Sequence, residues 1–435
     1  MGQGGRRTLR RPDPRQLARL WRSPLRGPWL TSVLGLALLV GLPLVAVTGL
    51  LSYAAYNPDL PGNDHTPDRG LLGLYLFPWP TRPVWLYRLT QGVHVTLGIT
   101  LVPVLLAKLW SVIPRLFGWP PVRSWAHGLE RLSLLLLVGG ALFEFATGLL
   151  NVQLEYLFPG SFYPLHFYGA WVFLAALLAH VTLRLPLAVR TLRDRGLRAQ
   201  LCTPTSRTRP EPPDDGLVSS DPSEPTLSRR GALAVVGAGA ATLCAVTVGQ
   251  SLGDSVRGTA LFAPHDRAPA PGDFPVNKTA ASVGIRPRDV GAHWRLTVRS
   301  GAREVALSRA ELLRMPQHSA HLPIACVEGW STSDQHWRGV RLRDLAALVG
   351  HDQDPPGVLV ESLQRRGAFR RAALRDNQVR DPLSLLALEV NGAPLSADHG
   401  YPARVIVPAL PGVHNTKWVS RLTFAGPTST FRERG

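Results

Sequence analysis

Cys326 lies in the run I-A-C-V-E-G-W-S-T-S-D-Q-H-W, from Ile324 to Trp337. The other two cysteines, Cys202 and Cys244, fall in a stretch read as a cytoplasmic linker and in an apolar run. Neither can readily reach Cys326, which is therefore expected to be an unpaired thiol. In an exported domain an isolated thiol suits a soft, polarisable metal better than a disulfide framework; a plain buried cysteine is the competing reading. His318, His321 and His336 lie near it in sequence but fit no usual structural zinc spacing. A Cys-His nucleophile has no supporting local signature.

A second group of residues suited to chemistry lies in apolar surroundings. His94 and His166 each open an apolar run at matching depth, and a histidine there is costly without a partner or ligand. Paired across a helical bundle, they could serve as axial ligands of a b-type haem. His180 follows His166 by fourteen residues, ~21 Å along a helix and about 40° short of the same face. That spacing would place a second, inner haem, with His127 as the best available partner. Fourteen residues after His94 the chain has Lys108 instead of histidine. Interfacial or packing histidines are the alternative. Glu144, also in an apolar run, could handle a quinol proton or simply pack.

These groups require elements of two kinds. Apolar runs at about 29–55, 91–112, 129–150, 164–187 and 231–251 each approach the ~20 residues that span a bilayer, and nothing after 260 does. Much of the arginine behind the formal charge of +18 borders these runs, so the charge reports topology and not a nucleic-acid partner. Arg6 to Arg26, Arg115 and Arg123, and Arg190 to Arg198 mark cytoplasmic flanks, whereas the loops at 56–88 and 151–163 carry fewer basic residues. The N-terminus is thus placed in the cytoplasm. Four spans return the chain there, and a fifth takes the C-terminal part outside a cytoplasmic (inner) membrane.

Runs one and three resemble one another: L-V-G-L-P-L-V-A-V-T-G-L-L at Leu39–Leu51 and L-V-G-G-A-L-F-E-F-A-T-G-L-L at Leu137–Leu150. Each precedes a Pro-Gly turn and then a helix that opens with a histidine, so a duplicated two-helix unit is inferred. With the W-A-H at Trp125–His127 and the A-T-G at Ala146–Gly148, residues 29–190 resemble the bacterial haem b membrane cytochromes that accompany periplasmic oxidoreductases.

The stretch 199–228 is rich in Pro, Ser, Thr and Asp and reads as a flexible linker. Ser228-Arg229-Arg230-Gly231 ahead of a weakly hydrophobic run resembles a twin-arginine export signal, which suits a domain that crosses the membrane already loaded with cofactor. Beyond residue 270 the pattern changes to short alternating strands at 294–298, 357–361, 403–407 and 418–424, with short helices at about 308–314 and 341–349. An α+β domain with mixed sheets follows.

Cys326-Val327-Glu328-Gly329-Trp330-Ser331, Trp337-x-Gly339-Val340, Phe274-Pro-Val-Asn277-Lys278-Thr279, Glu389-Val-Asn391-Gly392, Pro402-x-Arg404 and Lys417-Trp418-Val419 together resemble molybdopterin-dependent oxidoreductases of the sulfite-oxidase fold, most closely the periplasmic methionine-sulfoxide-reductase-like branch. The resemblance implies molybdopterin with molybdenum as cofactor, Cys326 as the protein's thiolate ligand, and Asn277 beside the metal pocket. It also implies that Arg404, His414 and Lys417 face the pterin phosphate or an anionic substrate. Where the family commonly carries an aromatic-Gly-aromatic-Lys run, this chain has Pro411-Gly412-Val413-His414. Trp330 and Trp337 are read as packing residues or pocket walls.

The expected architecture is multi-domain: a basic cytoplasmic N-terminus at 1–28, an all-α transmembrane four-helix bundle holding one or two b haems at 29–190, and a cytoplasmic linker at 191–228. A fifth, twin-arginine-like transmembrane helix at 229–252, an external linker at 253–269 and the molybdopterin domain at 270–435 complete it. The implied function is oxo transfer on a small-molecule substrate, with electrons exchanged through haem to quinone or another carrier, in contact with membrane lipid and no nucleic acid. The competing reading is a haem electron-transfer protein with a cofactor-free exterior binding module.

Overall fold

The computed structural model describes residues 21–60, 62–63, 77–116, 124–153, 162–212, 217–263, 274–365 and 369–425. Five helices in it are long and apolar enough to cross a membrane. They are α1 (Pro28–Ala55), α2 (Leu86–Leu116), α3 (Trp125–Gln153), α4 (Tyr163–Arg195) and, after a short α5 (Leu197–Cys202), α6 (Arg229–Leu252). α4 runs furthest past its apolar stretch, by eight residues at its C-terminal end, where Arg190, Arg193 and Arg195 follow. α1 begins with proline at its first position, where no N–H partner is needed.

The chain divides into two compact units, and each long helix contributes to both. The first comprises 1–42, 100–146 and 168–242. Here part of the stretch expected as a flexible linker is ordered, because Glu211 is buried and held. Its carboxylate accepts from the Trp29 amide at the start of α1 at 3.2 Å and meets Arg195 at 3.1 Å and Arg229 at 3.8 Å. A buried carboxylate needs such partners, and one at a helix N-terminus also complements the helix dipole.

The second unit comprises 43–99, 147–167 and 243–435. After α7 (Asp254–Arg257) it contains β1 (Arg295–Ser300), β2 (Arg303–Ser308), α8 (Arg309–Arg314), β3 (His318–Leu322), β4 (Gln335–Arg341), α9 (Leu342–Ala347), β5 (Val358–Ser362) and β6 (Arg371–Leu374). There follow α10 (Asp376–Arg380), β7 (Leu385–Val390), β8 (Ala393–Pro394), β9 (Arg404–Ile406) and β10 (Val419–Phe424). One sheet has the order β2-β1-β10-β5-β6, with β1 and β10 parallel; the other has β3-β4-β7-β8, with β9 also on β7.

The expected strands and short helices are found within one or two residues of their sequence positions. Alternation explains the agreement: Leu296 and Val298 on β1, Val358 and Val360 on β5, and Leu422 and Phe424 on β10 all point into one buried core. α8 starts at Ser308, whose hydroxyl accepts from the Glu311 amide, while the Glu311 carboxylate accepts from the Ser308 amide in return. Leu422 is wholly buried on the central strand. Leu422→Ala is expected to cost about 2–5 kcal/mol of stability, read as a lowered denaturation midpoint by tryptophan fluorescence.

Candidate active site

Cys326 sits in a turn that follows β3. Its amide donates to Trp330 O at 2.8 Å, Gly329 N donates to Cys326 O at 3.1 Å, and Thr332 N donates to Ile324 O at 2.9 Å. Gly329 has φ +89°, and a Cβ there would stand 2.8 Å from Val95 Cβ, so both conformation and space require glycine. The thiol is buried and lies 3.7 Å from Glu328 Oε2, which also accepts from Trp330 Nε1 at 2.8 Å.

Around the thiol the fold gathers Asn277, Trp330, Arg404 and Lys417, together with Phe274, His399 and Gly412. β9 delivers Arg404, which is 4% exposed. Its Nη1 donates to His399 O at 3.3 Å, its guanidinium lies 5.6 Å from the Trp337 ring centroid, and its Nε is buried with no hydrogen-bond partner among the described residues. Lys417 Nζ donates to Lys278 O at 2.8 Å and Asp398 O at 2.9 Å. Burial pushes the Arg404 guanidinium down to about 9. Burial, then the Arg404 charge, hold Lys417 well below the ordinary lysine range, against the opposing pull of Asp398 and Cys326.

A buried guanidinium with an orphaned N–H and a buried amine, both beside a thiol, form a donor set for a metal carrying an acidic group. The donors fit a molybdopterin. The space between them is closed to about 10 Å³, so side chains must part to admit it.

Of the residues anticipated here, Cys326, Asn277, Arg404 and Lys417 come together. His414 does not line this pocket: it is buried edge-on against Tyr56, with ring centroids 5.5 Å apart. Gly412, two residues earlier, takes the pocket-facing place, and its amide donates to Ala325 O at 2.7 Å. Trp330 is a pocket wall. Trp337 packs beneath, donating to Leu322 O at 3.0 Å. Glu328 and His399 were not anticipated; the His399 imidazole meets Ser396 Oγ at 2.9 Å and Phe274 O at 3.1 Å. His318 lies 3.4 Å from Asp344, and His321 stacks on His336 at 4.7 Å. Among the described residues no group of three or more His, Cys, Asp or Glu is placed to hold a metal ion.

Helix ends in the same unit bear on the Cys326 turn. Gln91 of α2 donates to Val327 O, and Ser251 Oγ at the end of α6 donates to Gly329 O at 2.5 Å. Ser331 returns two bonds to α6, to Gln250 O and Ser251 O, each at 2.8 Å. Arg257 of α7 donates to Ser331 O, so this part of the expected external linker is packed and not extended.

One turn along α2 from Gln91 is His94. Its ring faces that of His166 with centroids 6.2 Å apart and planes at 82°. His94 Nδ1 lies 2.9 Å from Val45 O, and His166 Nδ1 lies 3.1 Å from Thr147 Oγ1. Gly49 and Gly148 let the rings approach: a Cβ would stand 2.8 Å from His94 Cε1 and 3.2 Å from His166 Cε1. His180 belongs to the other unit, where it lines a cavity of about 840 Å³. The His127 side chain lies outside the described residues. Glu144 is buried on α3, its carboxylate against Gly169.

The oxidoreductase molybdopterin binding domain family matches residues 283–430. The mitochondrial sulfite oxidase of Rattus norvegicus is 32% identical over 147 residues, covering 28% of this chain and 27% of that protein. The uncharacterized oxidoreductase YuiH of Bacillus subtilis is 32% identical over 118 residues, covering 27% of this chain and 58% of its own. Among solved structures, the sulfane dehydrogenase SoxCD from Paracoccus pantotrophus aligns with a TM-score of 0.28 and 24% identity, over 31% of this chain and 38% of that one. The chain thus spans about a quarter of the length of the sulfite oxidase it matches. Residues 283–430 thus match the model of an oxidoreductase molybdopterin binding domain, and this part of the chain is similar to sulfite oxidases.

The pocket charges make a pH-dependent prediction. Below about 9 Arg404 is protonated, so inorganic phosphate is expected to raise the melting temperature of the cofactor-free protein at neutral pH. That gain should fade above about 9, as Arg404 loses its proton. Without phosphate, stability should instead rise with pH there, because the unfolded chain then binds the more protons. Thermal unfolding of the protein and of Arg404→Met, with and without phosphate across this range, checks both signs.

Proposed function

We propose that this protein is a membrane-anchored molybdenum oxidoreductase that carries out oxo transfer on a small substrate outside the cytoplasmic membrane. It exchanges electrons through b-type haem in the same chain with quinone or another carrier. The resemblance of the Cys326 and Lys417 motifs to the methionine-sulfoxide-reductase-like branch supports a reading nearest that branch. The observation that carries the reading is the Cys326 pocket: a buried thiol beside Arg404, whose Nε is orphaned, and Lys417.

In this reading Cys326 is the thiolate ligand, fixed by the turn bonds from Trp330 and Gly329. Arg404 and Lys417 hold the pterin phosphate or an anionic substrate, Asn277 borders the pocket, and Trp330 and Phe274 exclude water from it. When bound, molybdopterin supplies the two-electron oxo-transfer chemistry. His94 and His166 would hold the haem iron; the Nδ1 contacts to Val45 and Thr147 fix each ring, as outer-shell bonds do for metal-bound histidines. The five apolar helices serve as the anchor, with Arg229-Arg230 as a twin-arginine signal and the N-terminus inside. His414 acts through packing on Tyr56.

Metal analysis of the purified protein should find both molybdenum and haem iron; haem without molybdenum would sink the enzyme reading. Cys326→Ser should lower turnover by more than the ~10–100-fold typical of losing an outer-shell partner, with the haem spectrum unchanged.

A further inference from the structure

The surroundings of His94 are repeated, fourteen residues away along both helices, around Lys108. His94 Nδ1 meets Val45 O at 2.9 Å; Lys108 Nζ donates to Thr31 O at 2.6 Å. Gly49 makes room for the His94 ring; a Cβ at Gly35 would stand 3.1 Å from Lys108 Nζ. Each step, from Val45 to Thr31, Gly49 to Gly35 and His94 to Lys108, is fourteen residues. The other half of the bundle shows the same shift: Thr147 lies against His166, and fourteen residues away Ser133 and His180 line one cavity.

That cavity, about 840 Å³, lies wholly within the first unit and is lined by Thr31, Gly35, Lys108, Ser133 and His180. Its volume is in the ~300–1,000 Å³ range of cofactor and small-molecule sites. Leucine and valine side chains of α1, α2, α3 and α4 form much of its wall, and Arg115, Arg131 and Arg184 complete it. An apolar cavity with guanidinium groups at its margin suits a flat apolar molecule bearing carboxylates.

We infer that Lys108 and His180 are the axial ligands of a second haem, the inner counterpart of His94 and His166. This rests on the haem reading of the outer pair. Lys108 would hold the iron as the neutral amine and keep a remaining N–H for the bond to Thr31 O, as the His94 Nδ1–H does for Val45 O. The arginines take the propionates. The sequence alone suggested His127 as the partner of His180; the repeated carbonyl and glycine contacts assign that place to Lys108.

Haem content and low-temperature electron paramagnetic resonance of the purified full-length protein test this. About two haems per chain are expected, one with the signature of paired imidazoles and one with that of imidazole and amine. His94→Ala should remove the first alone, and Lys108→Leu or His180→Ala the second alone, each halving the haem-to-protein ratio. Lys108→His should keep both haems and convert the second signature to the first, a change that a purely structural lysine would not produce. One haem that is lost in His94→Ala and unaffected by His180→Ala would overturn the inner site while leaving the outer one standing; so would an unchanged spectrum in Lys108→Leu. Absence of any haem would overturn both.

Discussion

Putting a guanidinium and an amine out of water within one closed pocket is costly, and the C-terminal domain is arranged around meeting that cost. Arg404 is carried by a three-residue strand on β7, supported from below by the Trp337 ring and tied by one bond to a backbone carbonyl. Lys417 enters just before β10 and spends its amine on two more carbonyls. Among the described residues neither meets a carboxylate at salt-bridge distance. Backbone dipoles hold each group in place without cancelling the Arg404 charge, which leaves the pocket its preference for an anion. The thiol of Cys326 adds a third reactive group, and Glu328 behind it gives the turn a hydrogen-bonded floor through Trp330.

The same turn is shared between the sheet domain and the helices of its unit. Val327, Gly329 and Ser331 all use their carbonyls to receive side chains from α2, α6 or α7. Gln91 and His94 stand one turn apart on α2, so the element that touches the cysteine turn also carries the imidazole facing His166. The cysteine turn and the imidazole pair are therefore both tied to the same helix.

Much of this was legible in the sequence. β1, β5 and β10 were visible because apolar residues alternate along them, and the five long helices because their apolar runs leave little else to fold. Cys326, Arg404 and Lys417 were found through local motifs. What escaped notice was carried by contacts between distant residues that leave no periodic trace. Glu211 looked like one acid in a proline-rich stretch, yet it caps α1 and pairs with two arginines. Arg257 read as part of a linker, and His399 is recruited by the loop that precedes β9. His414 was assigned to the pocket by its place in a motif, but the turn from Pro411 to Asn415 directs it to Tyr56 instead. The likeness of Lys108 to His94 appeared only once their carbonyl partners could be compared.

The end of α6 has a further consequence. Arg88 holds the carbonyls of Ser251 and Leu252, while Gln250 and Ser251 in turn hold Ser331. Without the last turn of α6, Gly329 would lose its bond from Ser251, and Ser331 would lose its bonds to Gln250 and Ser251, so whatever moves the end of this helix moves the cysteine turn with it.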